Sequence, residues 1–159
     1  MMEGKKIYLG CQISGSSYDD VMQYLDVTEK RLEKMGYEIF APMKGKQELR
    51  TEKTLRSEGY NTPTSTNHAI FERDMWMVSQ CDIFYLNLDH PDTVSIGGMM
   101  ELAVASYLRK HTIVVMPKYS IHRHAFVLEA ADVVFESYFD AMRYLRTLVA
   151  GPSEEEEKE

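Results

Sequence analysis

Apolar side chains follow two rhythms along this chain. Short apolar runs bounded by Gly, Pro or polar clusters read as strands: Lys5–Gly10, Tyr37–Ala41, Asp82–Leu88, Thr112–Met116 and Asp132–Phe135. Between them apolar positions recur every three or four residues, the spacing of a helix with one buried face. Val21, Tyr24, Leu25, Val27, Leu32 and Met35 mark such a helix over Tyr18–Met35, stopped by Gly36. Further helices are predicted over Asn67–Ser79, capped by Thr66 or Asn67, and from about Gly98 to Lys110. A short one is expected within 118–131, and an amphipathic one over Ser137–Val149 with Ser137 as its cap. Residues 43–66 fit neither rhythm. A connection of that length is more often a functional flap than a plain link.

Strands alternating with helices predict an α/β fold: a doubly wound, five-stranded parallel sheet, flavodoxin-like or Rossmann-like, with helices on both faces. Such sheets bind ligands beyond the carboxyl ends of their strands, where strand order reverses. The glycine-bearing turns Gly10–Ser17 and Ser95–Glu101 follow two of the strands and are expected to share that crevice. One domain is expected over 1–150, and an acidic, solvated, disordered tail over 151–159.

The net charge of −7 adds little, because residues 154–159 carry five Glu and one Lys and leave the body at −3. No basic surface for nucleic acid is indicated, and no apolar run is long enough to span a membrane. Cys11 and Cys81 read as reduced, packed thiols, and with no targeting segment visible the expected location is cytoplasmic.

Glu101 falls in the first or second turn of a helix, where backbone N–H groups and the helix dipole favour negative charge. An ionised, positioned carboxylate can serve as a nucleophile or balance a developing cation; an ordinary solvated Glu would also sit there. Asp74 lies on or beside the stripe formed by Ile70, Phe71, Met75 and Val78. Facing the core, such an acid needs a partner, a ligand or a proton, and desolvation suits it to general acid work. At the edge of the stripe it would simply pair with a neighbour such as Arg73. Tyr8 is either core or part of a site. Gly10, Ile13, Ser14 and Gly15, with the serines up to Ser17, form a turn that could wrap an anion with N–H groups, though without a dinucleotide or Walker spacing. Ser95, Gly97 and Gly98 offer a second anion cradle or a plain helix cap. His122 and His124 lack acidic or thiol ligands nearby, so no metal site is expected, and a phosphate contact or an ordinary surface loop is the better reading.

Taken together, these segments resemble the nucleoside 2-deoxyribosyltransferase family. The likeness rests on Lys6–Gly10, on Phe71–Asp82 with Asp74 inside it, and on Gly97–Ala105 with Glu101 inside it, and it spans roughly residues 5–149. The resemblance implies that Glu101 attacks the anomeric carbon, that Asp74 moves protons around the base, and that Tyr8 positions Glu101. Nucleoside-using members usually have an Asp six residues before the nucleophile; here that position is Ser95, although Asp89 and Asp92 lie close by. A hydroxyl beside glycine N–H groups accepts a phosphate that a carboxylate would repel. The chain therefore looks like the branch that hydrolyses nucleoside 5′-monophosphates. In that branch the residue matching His124 reaches a neighbouring subunit's phosphate. The turn at Gln12 and Ser14 lacks the Arg of some nucleotide hydrolases, leaving His124, Arg123 or the serines to compensate.

The expectation is an N-glycosidase acting on (deoxy)nucleoside 5′-monophosphates through a glycosyl-enzyme intermediate, with no cofactor, in a homodimer or higher homo-oligomer. A base-exchanging deoxyribosyltransferase is the alternative, and a non-catalytic nucleotide-binding module is the second.

Overall fold

All five apolar runs form strands, and all pair in parallel. The computed structural model describes residues 5–13, 15–43, 49, 52–89 and 93–149. Strands β1 (Lys6–Cys11), β2 (Glu38–Phe40), β3 (Ile83–Asn87), β4 (His111–Val115) and β5 (Val133–Phe135) lie in the order β2-β1-β3-β4-β5. Chain order reverses between β1 and β3, so the turns leaving these two strands stand side by side at the carboxyl edge. In the register Tyr8 lies between Phe40 and Phe84.

Side chains alternate across the pleat, and each face takes its own helices. Ile7, Leu9 and Tyr85 pack with Val21 and Leu25 of α1 (Tyr18–Met35) and with Ala141 and Leu145 of α5 (Tyr138–Thr147). Tyr8, Phe84 and Leu86 face the other way. They meet Met77 and Val78 of α2 (Asn67–Gln80), Leu102 and Ala105 of α3 (Ile96–Tyr107), and Val127 of the short α4 (Ala125–Ala130).

Helix ends follow local chemistry. Thr66 caps α2 by accepting the Ala69 N–H at 3.1 Å, and Ser137 caps α5 by accepting that of Phe139 at 3.2 Å. Gly36 ends α1 at φ 99°, a conformation other residues rarely adopt. Three expectations need correction. Val27 lies outside the buried face of α1, which instead uses Thr28 between Leu25 and Leu32. Phe71 is exposed, and the buried face of α2 is made by Asp74, Met77 and Val78. Helix α3 starts at Ile96 rather than Gly98, because Ser95 is its cap.

Cys11 and Cys81 form no disulfide. Among the described residues no helix is long and apolar enough to cross a membrane. The tail expected over 151–159 lies outside the described residues.

Candidate active site

Tyr8 is fully buried on β1, its ring stacked on Phe84 with centroids 5.5 Å apart. Its phenol is held protonated, well above the usual range, by burial first and then by the charges of Glu101 and Asp74, with a hydrogen bond toward Glu101 adding to the effect. The Oη makes no full hydrogen bond among the described residues, although Glu101 lies close enough to act on it. Three residues singled out separately, on β1, α2 and α3, thus meet at one point.

Asp74 reaches this point because it lies within the buried face of α2, not at its edge, and is 7% exposed. Arg73 on the same helix turns its Nη1 to the Thr64 carbonyl at 2.8 Å. Glu101 stands in the second turn of α3. Helical side chains tilt toward the N-terminus, and a Cβ on Gly97 would lie 4.0 Å from Glu101 Oε1.

The start of α3 is tightly built. Ser95 Oγ accepts the Gly98 N–H at 3.3 Å, and a Cβ on Gly98 would stand 2.8 Å from that oxygen. A hydroxyl donates as well as accepts, so Ser95 keeps its O–H for a ligand. The N–H groups of Ile96 and Gly97 precede the helical ladder and point the same way along the axis. The Ser95 N–H is taken by His122 Nε2 at 2.8 Å.

Asp74 and Glu101 line one cavity of about 360 Å³, together with Gln12, Ile13, Ser95, Gly97 and Gly98. A larger one, about 610 Å³ between α1 and α5, lies on the opposite face and contains neither acid, although Cys11 and Gln12 border both. Asp89 lines that second cavity, and Asp92 lies outside the described residues, so Ser95 is the residue beside the acids.

The turn after β1 is arranged differently from the expected cradle. Gly10 does not line the acid cavity; its missing Cβ makes room for β3, since a Cβ there would lie 2.9 Å from Leu86 Cδ1. Gly15, at φ 85°, gives its N–H to the Leu55 carbonyl at 2.9 Å, and the Ser16 N–H goes to Ile13 O at 3.1 Å. Neither donor is left for an anion. Ser14 lies outside the described residues. His124 is exposed, away from this cavity, and caps α4 with its Nδ1 accepting from Phe126 at 3.1 Å. The two histidines once weighed as a metal pair therefore serve separate backbone groups. Among the described residues no cluster of His, Cys, Asp and Glu is placed to hold a metal.

Sequence reasoning missed the residues that the 43–66 segment contributes. Leu55 returns the bond from Gly15 by giving its own N–H to Ser16 O at 2.7 Å, strapping the segment to the turn after β1. The strap brings Leu55, Arg56, Ser57 and Tyr60 to the cavity wall, with the Arg56 guanidinium 4.5 Å over the Tyr60 ring. Arg56 is the one cation among the described lining residues. Nothing in the composition of 43–66 marks it out from the neighbouring basic residues. The sequence offers His122 as a metal ligand, a phosphate contact or a surface-loop residue, and its bond to the Ser95 backbone leaves no signal there.

A parallel α/β sheet with two acids and a helix start beside one cavity at its switch point has the layout of a small-molecule enzyme. The family model for nucleoside 2-deoxyribosyltransferase matches residues 7–142, and the chain belongs to that family. Its members act on nucleosides or nucleotides. Among solved structures it is similar to the 2-deoxyribosyltransferase of Bacillus psychrosaccharolyticus, with TM-score 0.62 and 20% identity over 87% of this chain and 91% of that one. It is also similar to the 2-desoxiribosyltransferase of Leishmania mexicana, with TM-score 0.61 and 17% identity over 89% and 97%. The CMP N-glycosidase BcmB of Clostridium botulinum gives TM-score 0.55 and 15% identity over 89% and 98%. At these identities the likeness is one of fold. A search of curated proteins finds no match.

Proposed function

We propose that this protein is an N-glycosidase of (deoxy)nucleoside 5′-monophosphates. The observation that carries the reading is the Ser95 hydroxyl at the start of α3, in the cavity that also holds Asp74 and Glu101. Ser95 keeps an O–H free, the N–H groups of Ile96 and Gly97 lie beside it, and Arg56 lines the same cavity. This set suits a phosphate, and a carboxylate in place of Ser95 would oppose one.

With the phosphate held there, the sugar lies over Glu101 and the base toward Asp74. A Glu101 oxygen bonds to C1′ as the C1′–N bond breaks, and Asp74 gives its proton to the departing base. The positive charge that develops on the sugar is balanced by the Glu101 carboxylate. The protonated Tyr8 phenol steadies that carboxylate. Asp74, now ionised, takes a proton from water, whose oxygen bonds to C1′ and releases Glu101 with (deoxy)ribose 5-phosphate. No metal or organic cofactor takes part.

The working unit in this reading is a homodimer in the cytoplasm. Ile96, Met100 and Tyr107 form an exposed apolar stripe on α3 at helical spacing, and Phe126 stands exposed on the adjoining α4. The stripe begins beside the cavity, and His124, which does not reach its own cavity, lies on the same side of the sheet. A second copy docked there would bring its His124 to the phosphate. A Tyr107→Asp variant is expected to sediment as a monomer where the native protein sediments as a dimer.

The test separates phosphorylated from free substrates. Nucleoside 5′-monophosphates and nucleosides are incubated with and without an acceptor base, and products are followed by chromatography. Free base with (deoxy)ribose 5-phosphate is expected from monophosphates alone, and Ser95→Asp should reverse the preference. Base exchange on unphosphorylated deoxynucleosides would replace this reading with the transferase one.

A further inference from the structure

The loop between β4 and α4 carries a histidine that this mechanism does not use. His122 is 2% exposed, and its Nε2 accepts the Ser95 backbone N–H at 2.8 Å. A ring nitrogen that accepts carries no proton, so the imidazole is neutral with its hydrogen on Nδ1. The backbone beneath the ring is held from its own loop: the His122 N–H donates to Ser120 Oγ at 3.1 Å, while the ring's Nδ1 is buried with no hydrogen-bond partner among the described residues. The Ser120 and Arg123 N–H groups close turns on Pro117 O and Ser120 O, each at 3.0 Å.

Among the described residues Ser95 differs from the other helix N-caps. The caps Ser17, Thr66, His124 and Ser137 have ψ between 134° and 156°, whereas Ser95 has ψ 86°. Its N–H belongs neither to a strand ladder nor to the helix, and its partner comes from the loop that leaves the neighbouring strand β4, 27 residues on. The direction in which this cap faces is thus set from outside α3, and His122 is the contact that sets it.

We propose that His122 is a positioning residue for the substrate's phosphate: by accepting from Ser95 it fixes the backbone that aims Ser95 Oγ and the N–H groups of Ile96 and Gly97 into the cavity. The inference rests on the phosphate reading of that cavity given above. The Ser95 N–H needs a buried acceptor that carries no charge, and the neutral imidazole supplies one.

Three variants test it. His122→Gln carries an amide oxygen near the place of Nε2, His122→Asn carries one too short to reach Ser95, and His122→Phe keeps the ring without an acceptor. Expected for Asn and Phe is a KM for monophosphates raised roughly 10-fold or more with kcat little changed, and near-native values for Gln. Cleavage of the unphosphorylated nucleoside, where measurable, should be alike in all. Equal losses in Gln and Asn, or losses that fall on kcat, would make His122 a packing residue only, and a native KM in Asn would also overturn the proposal. Should Phe fail to fold, the Gln and Asn pair still decides. Calorimetric titration with ribose 5-phosphate reads the anchor without catalysis: weaker binding in Asn than in Gln supports it, and equal binding sinks it. A native protein that binds ribose 5-phosphate in this pattern yet leaves monophosphates intact would bring down the N-glycosidase reading alone.

Discussion

A Cβ placed on Gly98 would stand 2.8 Å from Ser95 Oγ and 3.3 Å from Leu86 Cδ1. Both neighbours matter: the first is the cap of α3 and the second belongs to the β3 core. Gly98→Ala therefore has to turn the Ser95 hydroxyl away. The lost cap costs about 1 kcal/mol, and replacing Gly by Ala inside a helix returns about 0.5–1 kcal/mol. The two nearly cancel, so Tm should move by less than about 4 °C. Monophosphate affinity has no such compensation, and KM should rise about 10-fold. Calorimetry beside steady-state kinetics checks both halves. A large fall in Tm with an unchanged KM would show that the glycine serves packing and not the ligand.

The fold was legible because its causes are local. Five apolar runs with helical spacing between them define the strands and helices, and Gly36, Pro42 and Pro117 punctuate them. Periodicity singled out Asp74 and Glu101 one at a time, and only the resemblance to the deoxyribosyltransferase family implied that they act with Tyr8 at one place. Phe71 and Met77 show the limit of periodicity: the apolar stripe of α2 takes in Phe71 and leaves out Met77, yet in the packed protein Met77 goes inward and Phe71 is exposed. What escaped depends on contacts between distant segments. Arg56 reaches the cavity through the Leu55 strap to Gly15 and Ser16, and the same bond removes Gly15 from the predicted anion cradle. His122 finds Ser95 across the β4–α4 loop. No spacing rule announces a bond between such positions.

The division of labour between the two acids can be read from leaving groups. Glu101→Gln keeps the shape of the side chain and removes the nucleophile, so turnover should fall by roughly a thousandfold or more while ribose 5-phosphate still binds. Asp74→Asn removes the proton donor, a loss of about 10²–10⁴-fold for an ordinary base. A 7-methylated purine nucleotide departs without needing a proton. On that substrate Asp74→Asn should recover most of its rate, and Glu101→Gln should not. Equal deficits on both substrates would assign Asp74 to binding the base and not to protonating it.

His122 also gives the protein a pH dependence of stability with a defined sign. Burial lowers its pKa below the ordinary value of 6.5, and the one group hydrogen-bonded to the ring among the described residues, the Ser95 N–H, is uncharged. Above that value the ring is neutral in both the folded and the unfolded chain and contributes no difference. As pH falls below it, the unfolded chain takes up a proton that the folded one refuses, so stability is lost with acidification down to the lowered folded pKa. The slope of this loss is at most about 1.4 kcal/mol per pH unit. His122→Gln carries no titrating group, and the remaining histidines and carboxylates titrate alike in both proteins. Urea unfolding midpoints, measured in steps between pH 7.5 and 5.5, should therefore fall further for the native protein than for the variant. Two parallel curves would mean that the ring accepts its proton in place, which is incompatible with an Nε2 that receives the Ser95 N–H.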